Sequence, residues 1–422
     1  MFSLRIRISN NYIFSGLVVL LPLLYQISSP IRVISLGEFI LLPFVVGFLI
    51  SDLLAGIFVP VKGIVAFYFV PILCTLIICP FVDFFRWSDA ITVIARIAFY
   101  FTLITISLNH FQIERVLRLY YTICVLAALY LFLQVVGYYF FDILFPIPRN
   151  NAKFLFAYDE SINTARYYRL YGFRPASLFT EPSFYANYFV TLIAVLLFSN
   201  NRFSFLSHMT LKSRIIKAAI FSMSIILTTS TLGVVFCFII WSFFFLANYK
   251  NTQISIKTRI IIGVFIAVVI GGGLLTNIFS FVIKRTSNGA SIGERVLRGI
   301  FIYNSLPIIN KIVGIGLNNI ENYVNAYNIR TIYDGADLNF TVTSTNRLIS
   351  SGAVGFSALL YFVMSQFKRC YTVVEKTLMV VIFVQFIFDP GEYSYIFAFM
   401  FVMLYGIRQV MNNGGETSCE SR

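Results

Sequence analysis

Hydrophobic and polar positions along this chain fall into long blocks, not into the two-residue alternation of a half-buried strand. Apolar runs of about 18 residues or more read as membrane-spanning helices. The blocks place twelve expected spans at residues 12–28, 33–51, 63–82, 88–108, 119–145, 182–199, 215–229, 231–248, 259–282, 348–366, 377–388 and 394–408. The fold class this implies is all-α: a polytopic integral membrane protein forming a single transmembrane domain over 1–422. A transmembrane barrel would instead show short alternating segments. The first run, Tyr12–Ser28, lacks a small-residue cleavage site and is expected to be a span, not a removed signal. Spans seven and eight are joined by Thr228-Thr229-Ser230-Thr231 as a tight hairpin, and span eleven ends at the turn signal Asp389-Pro390-Gly391. Two long polar gaps remain, 146–181 and 283–347, with a short tail over 409–422.

Composition narrows the class. The chain is 59% hydrophobic and 12% charged, whereas a soluble domain is about a quarter charged. With the N-terminus inside, seventeen Lys and Arg fall in inner segments, and the short outer loops hold two, Arg32 and Arg86. Cations in short loops resist translocation, so both termini are expected inside and both long loops outside. The net charge of +14 is then mostly inner anchoring. No soluble basic patch exists, so no nucleic acid is expected as a partner. Of six cysteines, Cys74, Cys79, Cys124 and Cys237 lie in spans and Cys370 and Cys419 inside, so no outer disulfide framework is expected. No metal-ligand spacing occurs, and His110 and His208 fall on inner segments.

Candidate chemistry concentrates in the long outer loops. The first carries Arg166, Arg169 and Arg174 and ends at Ser177-Leu-Phe179-Thr-Glu181-Pro182-Ser183. Pro182 suits the first helical turn, which leaves Glu181 extended as the cap of the sixth span. Glu181, Tyr185 and Tyr188 then share one face, with a carboxylate held at the outer surface beside arginines. A helix-start glutamate answering the dipole is an equally good account of Glu181. In the second loop Ile292, Val296, Leu297, Ile300 and Phe301 form an apolar stripe on a short helix in the membrane plane. Arg295 and Arg298, three apart, are placed to clamp a pyrophosphate; the competing account pairs Glu294 with Arg298, both facing solvent. Arg96, about 12 Å inside the fourth span, needs an anionic partner. Asp334 and Asp337 read mainly as turn residues, and Gly271-Gly272-Gly273 as a hinge or a close helix contact.

The whole pattern resembles the bacterial O-antigen polymerases, which share an architecture with O-antigen ligases. The residues that carry the likeness are Arg174-x-x-Ser177-x-Phe179-x-Glu181-Pro182-Ser183, the hairpin Leu227–Gly233, Arg295…Pro307…Gly314-Ile-Gly316, and Ser344-Thr-Asn346…Gly352-Ala-Val-Gly355. The resemblance implies a GT-C-like bundle in the bacterial inner membrane whose two large loops are periplasmic. It implies a glycosyltransferase that joins polyprenyl-pyrophosphate-linked oligosaccharide repeats in lipopolysaccharide synthesis. The expected partners are these substrates, membrane lipid and a chain-length regulator protein; no cofactor and no metal is implied. Arg96, Arg169, Arg174, Arg295, Arg298 and Tyr185 are expected to bind substrate, the arginines of both loops meeting the diphosphate. Glu181 is expected to act as the base or to position Arg174. Ligases of this class carry a histidine where Ser344 and Thr345 stand, which favours the polymerase and leaves the ligase as the alternative. A lipid-linked oligosaccharide flippase is the third reading, opposed by the long loops and by the lack of a clear internal repeat.

Overall fold

A computed structural model describes residues 9–31, 34–82, 84–143, 145, 173–199, 202–248, 292–329, 341–389, 391 and 393–416. Among the described residues the fold is all-helical, 79% helix. In chain order the helices are α1 (Asn10–Leu24), α2 (Leu36–Leu54), α3 (Lys62–Ile78), α4 (Trp87–His110), α5 (Ile113–Phe141), α6 (Pro182–Phe198), α7 (Ser204–Ser207), α8 (Leu211–Leu227), α9 (Thr231–Asn248), α10 (Ile292–Ser305), α11 (Ile308–Val313), α12 (Ile320–Ala326), α13 (Thr343–Phe367), α14 (Val373–Phe388) and α15 (Tyr395–Glu416). Seven helical stretches among the described residues are long and apolar enough to cross a membrane: Leu36–Leu54, Lys62–Phe81, Trp87–His110, Ile113–Phe141, Thr231–Asn248, Thr343–Phe367 and Tyr395–Asn412. The protein is a membrane protein of helical type.

Eleven of the twelve expected segments carry a helix; the ninth, 259–282, lies outside the described residues. Four of the eleven, α1, α6, α8 and α14, have only 15, 17, 17 and 16 residues. Helix ends follow local chemistry. Ser35 and Glu38 form a reciprocal capping box at α2. Thr210 accepts from the Ser213 amide at α8, and Thr372 from the Glu375 amide at α14. The 283–347 gap is not a plain loop, since it holds α10, α11 and α12 and its last residues already belong to α13. Thr, Ser and Asn at 343–346 look like loop chemistry in sequence, which is why the boundary is displaced.

The chain divides into two compact units. The first comprises Met1–Val59, Thr102–Ile240 and Ala398–Arg422, and the second Pro60–Phe101 and Trp241–Phe397. At the centre of the first is α6, apolar on every side and buried from Tyr185 to Phe198. Tyr185 Oη donates to Ser224 Oγ of α8 at 2.7 Å and Tyr188 Oη to the Val19 carbonyl of α1 at 3.0 Å. Tyr120 of α5 donates to the Tyr188 carbonyl, and the Tyr188 ring stacks on Phe399 at 5.0 Å. In the second unit α3, α13 and α14 pack around Phe67, Phe362, Phe386 and Phe397. A separate cluster in that unit, Ile78, Ile302, Leu306, Ile315, Ile320 and Ile349, packs α10 and α12 with α3 and α13.

Candidate functional site

In the first unit the segment 173–181 leads into α6 and is fastened from two sides. Gln26 Nε2 of α1 donates to the Leu178 carbonyl at 2.7 Å. From α5, Gln134 Oε1 accepts the Ser177 amide at 2.9 Å, while Ser177 Oγ donates to the Ala127 carbonyl at 2.5 Å. Ser177 sits at φ +55°, a left-handed conformation that only such over-determination holds in a residue with a side chain. Ala176, Ser177 and Phe179 are buried, so the approach to Glu181 is rigid. Glu181 itself is extended (φ −138°, ψ 147°) with Pro182 opening the helix, as the dipeptide predicts. Its carboxylate gives the helix no cap bond, is exposed, and accepts only Ser183 Oγ at 3.2 Å among the described residues.

Arg174 is half-buried, and its Nε is enclosed without a hydrogen-bond partner among the described residues. No ion pair joins it to Glu181. Tyr185 is inside the bundle, stacked on Phe189 at 4.0 Å, with its hydroxyl committed to Ser224. Its surroundings are those of a packing residue. Arg169 lies outside the described residues, as do Asp334, Asp337 and Gly271-Gly272-Gly273.

The second unit holds the other arginines. Arg96 is the tenth residue of α4, partly buried, with an enclosed Nε lacking a hydrogen-bond partner among the described residues. Arg295 lies on α10. Arg298, on the same helix, is only 3% exposed. It shares the inward face with Ile302 and Leu306, while Leu297, Ile300 and Phe301 are exposed. Arg298 therefore does not face solvent, and the Glu294 side chain expected to pair with it lies outside the described residues. Its apolar stripe is turned outward and its arginine inward. Gly299 brings α10 against the start of α13, since a Cβ there would stand 2.3 Å from Thr345 Oγ1.

Arg347, which the sequence pattern assigns to the edge of a loop, is fully buried in α13. Its Nη1 donates to the Phe67 carbonyl at 2.9 Å. That carbonyl would normally accept the amide of residue 71, but Pro71 has none. The guanidinium also lies 4.6 Å from the Phe67 ring centre and 5.0 Å from that of Tyr393. One turn on, Thr75 Oγ1 donates to the Pro71 carbonyl at 2.7 Å and accepts the Leu317 amide at 3.1 Å. A proline in an apolar run with an arginine elsewhere at a helix start is the only sequence signal for this contact.

Helix α13 is interrupted. Gly352 stands at φ +63°, ψ −164°, a region open to glycine alone. The carbonyls freed by the break do not stay empty: Ile349 accepts from the Ile315 amide and Ser350 from the Gly316 amide, each at 3.0 Å. The two strands of this contact meet through glycines. A Cβ at Gly314 would lie 2.2 Å from the Ser350 carbonyl oxygen, and one at Gly352 2.3 Å from Ile312 backbone. Before the break, Thr343 Oγ1 donates to the Asp389 carbonyl at 2.8 Å and accepts the Gly391 amide at 3.1 Å, which fastens the Asp389–Gly391 turn. Broken helices in a bilayer occur where the backbone is enclosed by protein, and here the enclosing groups are identified.

No group of His, Cys, Asp and Glu among the described residues is arranged to hold a metal ion. The chain matches no protein-family model, and no curated protein matches it significantly.

Proposed function

We propose that this protein is an O-antigen polymerase of the bacterial inner membrane, joining polyprenyl-pyrophosphate-linked oligosaccharide repeats on the periplasmic side. In this reading both termini are cytoplasmic, twelve spans cross the bilayer, and α10–α12 belong to the second periplasmic loop. An acceptor sugar hydroxyl attacks the anomeric carbon of the growing chain, the bond to the lipid diphosphate breaks, and the hydroxyl proton passes to a base. The leaving diphosphate carries its own negative charge, so the main electrostatic task is to hold it with preorganised cations.

The observation that carries the reading is the burial of Arg298 on an amphipathic outer-loop helix whose apolar face is exposed. A guanidinium withdrawn from water interacts with a diphosphate more strongly than a solvated one. Arg295 and Arg96 share the diphosphate role, and Arg96 brings an enclosed Nε that lacks a protein partner among the described residues. Glu181 is the candidate base, since its carboxylate is exposed, is not consumed as a helix cap and forms no ion pair with Arg174. Arg174 and Arg169 are assigned to the sugar-diphosphate substrate. A chain-length regulator is the expected protein partner.

The test is lipopolysaccharide banding in a deletion strain carrying Arg298→Lys, Arg295→Ala or Arg96→Gln at normal expression. The expected result is loss of long chains with core plus one repeat retained. Bare core would point to the ligase instead, and normal ladders from well-expressed variants would remove these arginines from the mechanism.

A further inference from the structure

At the opposite end of the first unit from Glu181, α6 and α8 run antiparallel, joined through residues 199–210. Their register is set by Tyr185 on Ser224 and by Phe189 against Phe221, ring centres 5.6 Å apart. Continued down the pair, that register puts Arg214 opposite the last turn of α6, which ends at Phe198. Arg214 is 4% exposed, and its Nε and Nη1 have no hydrogen-bond partner among the described residues. Neither nitrogen therefore engages the carbonyl groups that end α6.

Charge at this end is one-sided. Residues 113–118 and 199–217 carry Arg115, Arg118, Arg202, Lys212, Arg214 and Lys217 against Glu114 alone. Glu114 is exposed and accepts the Ser204 amide at 3.4 Å. The first turn of α8 adds its own positive end, and Arg214 lies in that turn. Ser199, the residue after α6, has a buried hydroxyl that likewise lacks a partner among the described residues. A buried cation with directed N–H groups left over, within a field of cations, selects an anion with several acceptor oxygens.

We infer that Arg214 is the centre of a phosphate-binding site on the cytoplasmic end of the first unit, distinct from the proposed catalytic arginines. The ligand class is a phosphate ester or free phosphate, and in a membrane protein the abundant source is the headgroup of an anionic phospholipid. Arg214 supplies the enclosed donor, and the surrounding exposed cations raise the local concentration of anions.

The test uses the full-length protein in neutral detergent, stripped of lipid, with bound lipid counted by native mass spectrometry and unfolding followed by temperature. Three probes are added separately: phosphatidylglycerol, a galactolipid with the same acyl chains, and inorganic phosphate. Phosphatidylglycerol is expected to be retained and to raise Tm, and the galactolipid to do neither. Arg214→Gln is expected to lower retention about tenfold or more, the effect of one charge-assisted contact. Arg118→Gln, which removes the same charge from an exposed position, should leave retention unchanged. Protection by inorganic phosphate equal to that of the lipid supports the site and assigns it to a free anion. Equal retention of the two lipids by the wild-type protein overturns the inference, as does an equal loss in Arg118→Gln and Arg214→Gln. The wild-type comparison decides the matter even if Arg214→Gln does not fold.

Discussion

Pro71 and Arg347 form a linked pair at the scale of single residues, because the carbonyl one leaves unpaired is the acceptor the other uses. Removing the Arg347 donor, in Arg347→Gln, strands a buried carbonyl and two aromatic faces, and is expected to cost about 2–4 kcal/mol. Pro71→Ala returns an amide to α3, so the double variant should lose about 1 kcal/mol less than the sum of the singles. Denaturation in mixed micelles measures this; strict additivity would break the link. At Glu181 the expectation runs the other way. Its carboxylate is exposed and caps nothing, so Glu181→Gln should change stability by no more than about 0.5 kcal/mol. Chain polymerisation, assayed on ladders, should nevertheless fall strongly if that carboxylate accepts the proton. Sequence alone brought out Glu181 and its extended backbone, because proline restricts its neighbour by sterics that need no tertiary context. It did not bring out Arg347, whose hydrogen-bond acceptor lies 280 residues away along the chain.

The element that departs most from its sequence pattern is α13. Apolar periodicity predicts an uninterrupted span over 348–366, with Gly352 inside it. The break becomes visible only once Gly314 and Gly316 are known to lie against it. Helix α6, by contrast, was legible nearly to the residue, 182–199 expected against Pro182–Phe198 found, since Glu181-Pro182 is a local start signal. Three substitutions follow. Gly352→Ala and Gly314→Ala each force a Cβ to within 2.3 Å of backbone and should lower stability by about 3 kcal/mol or more. Gly47→Ala in α2, where a Cβ meets nothing within 4 Å, should be neutral or stabilising by about 0.5–1 kcal/mol. Thermal unfolding in detergent orders the three; equal midpoints would mean that the break carries no steric demand.

Orientation belongs to the whole molecule. Within the second unit, Ile309 on α11 is 67% exposed and Tyr371 before α14 is 74% exposed. If α10–α12 face the periplasm, a cysteine at 309 should react with an impermeant maleimide on intact cells and one at 371 only after permeabilisation. The reverse pattern would invert the topology and end the polymerase proposal. Charge asymmetry supplies the expected orientation from sequence, whereas the burial of individual arginines is decided by which face of a helix meets its neighbours and is not written in composition.

The interruption at Gly352 also limits what α13 can do by itself. Beyond it only residues 353–367 remain helical, about 22 Å of rise against roughly 30 Å of hydrocarbon. That remnant is too short to reach across the lipid. The missing distance is supplied by the nine residues before the break, whose Ile349 and Ser350 carbonyls are held by the amides of Ile315 and Gly316. Whether this stretch of chain traverses the bilayer thus depends on a second stretch more than thirty positions upstream, whose amides hold the corner between its two halves.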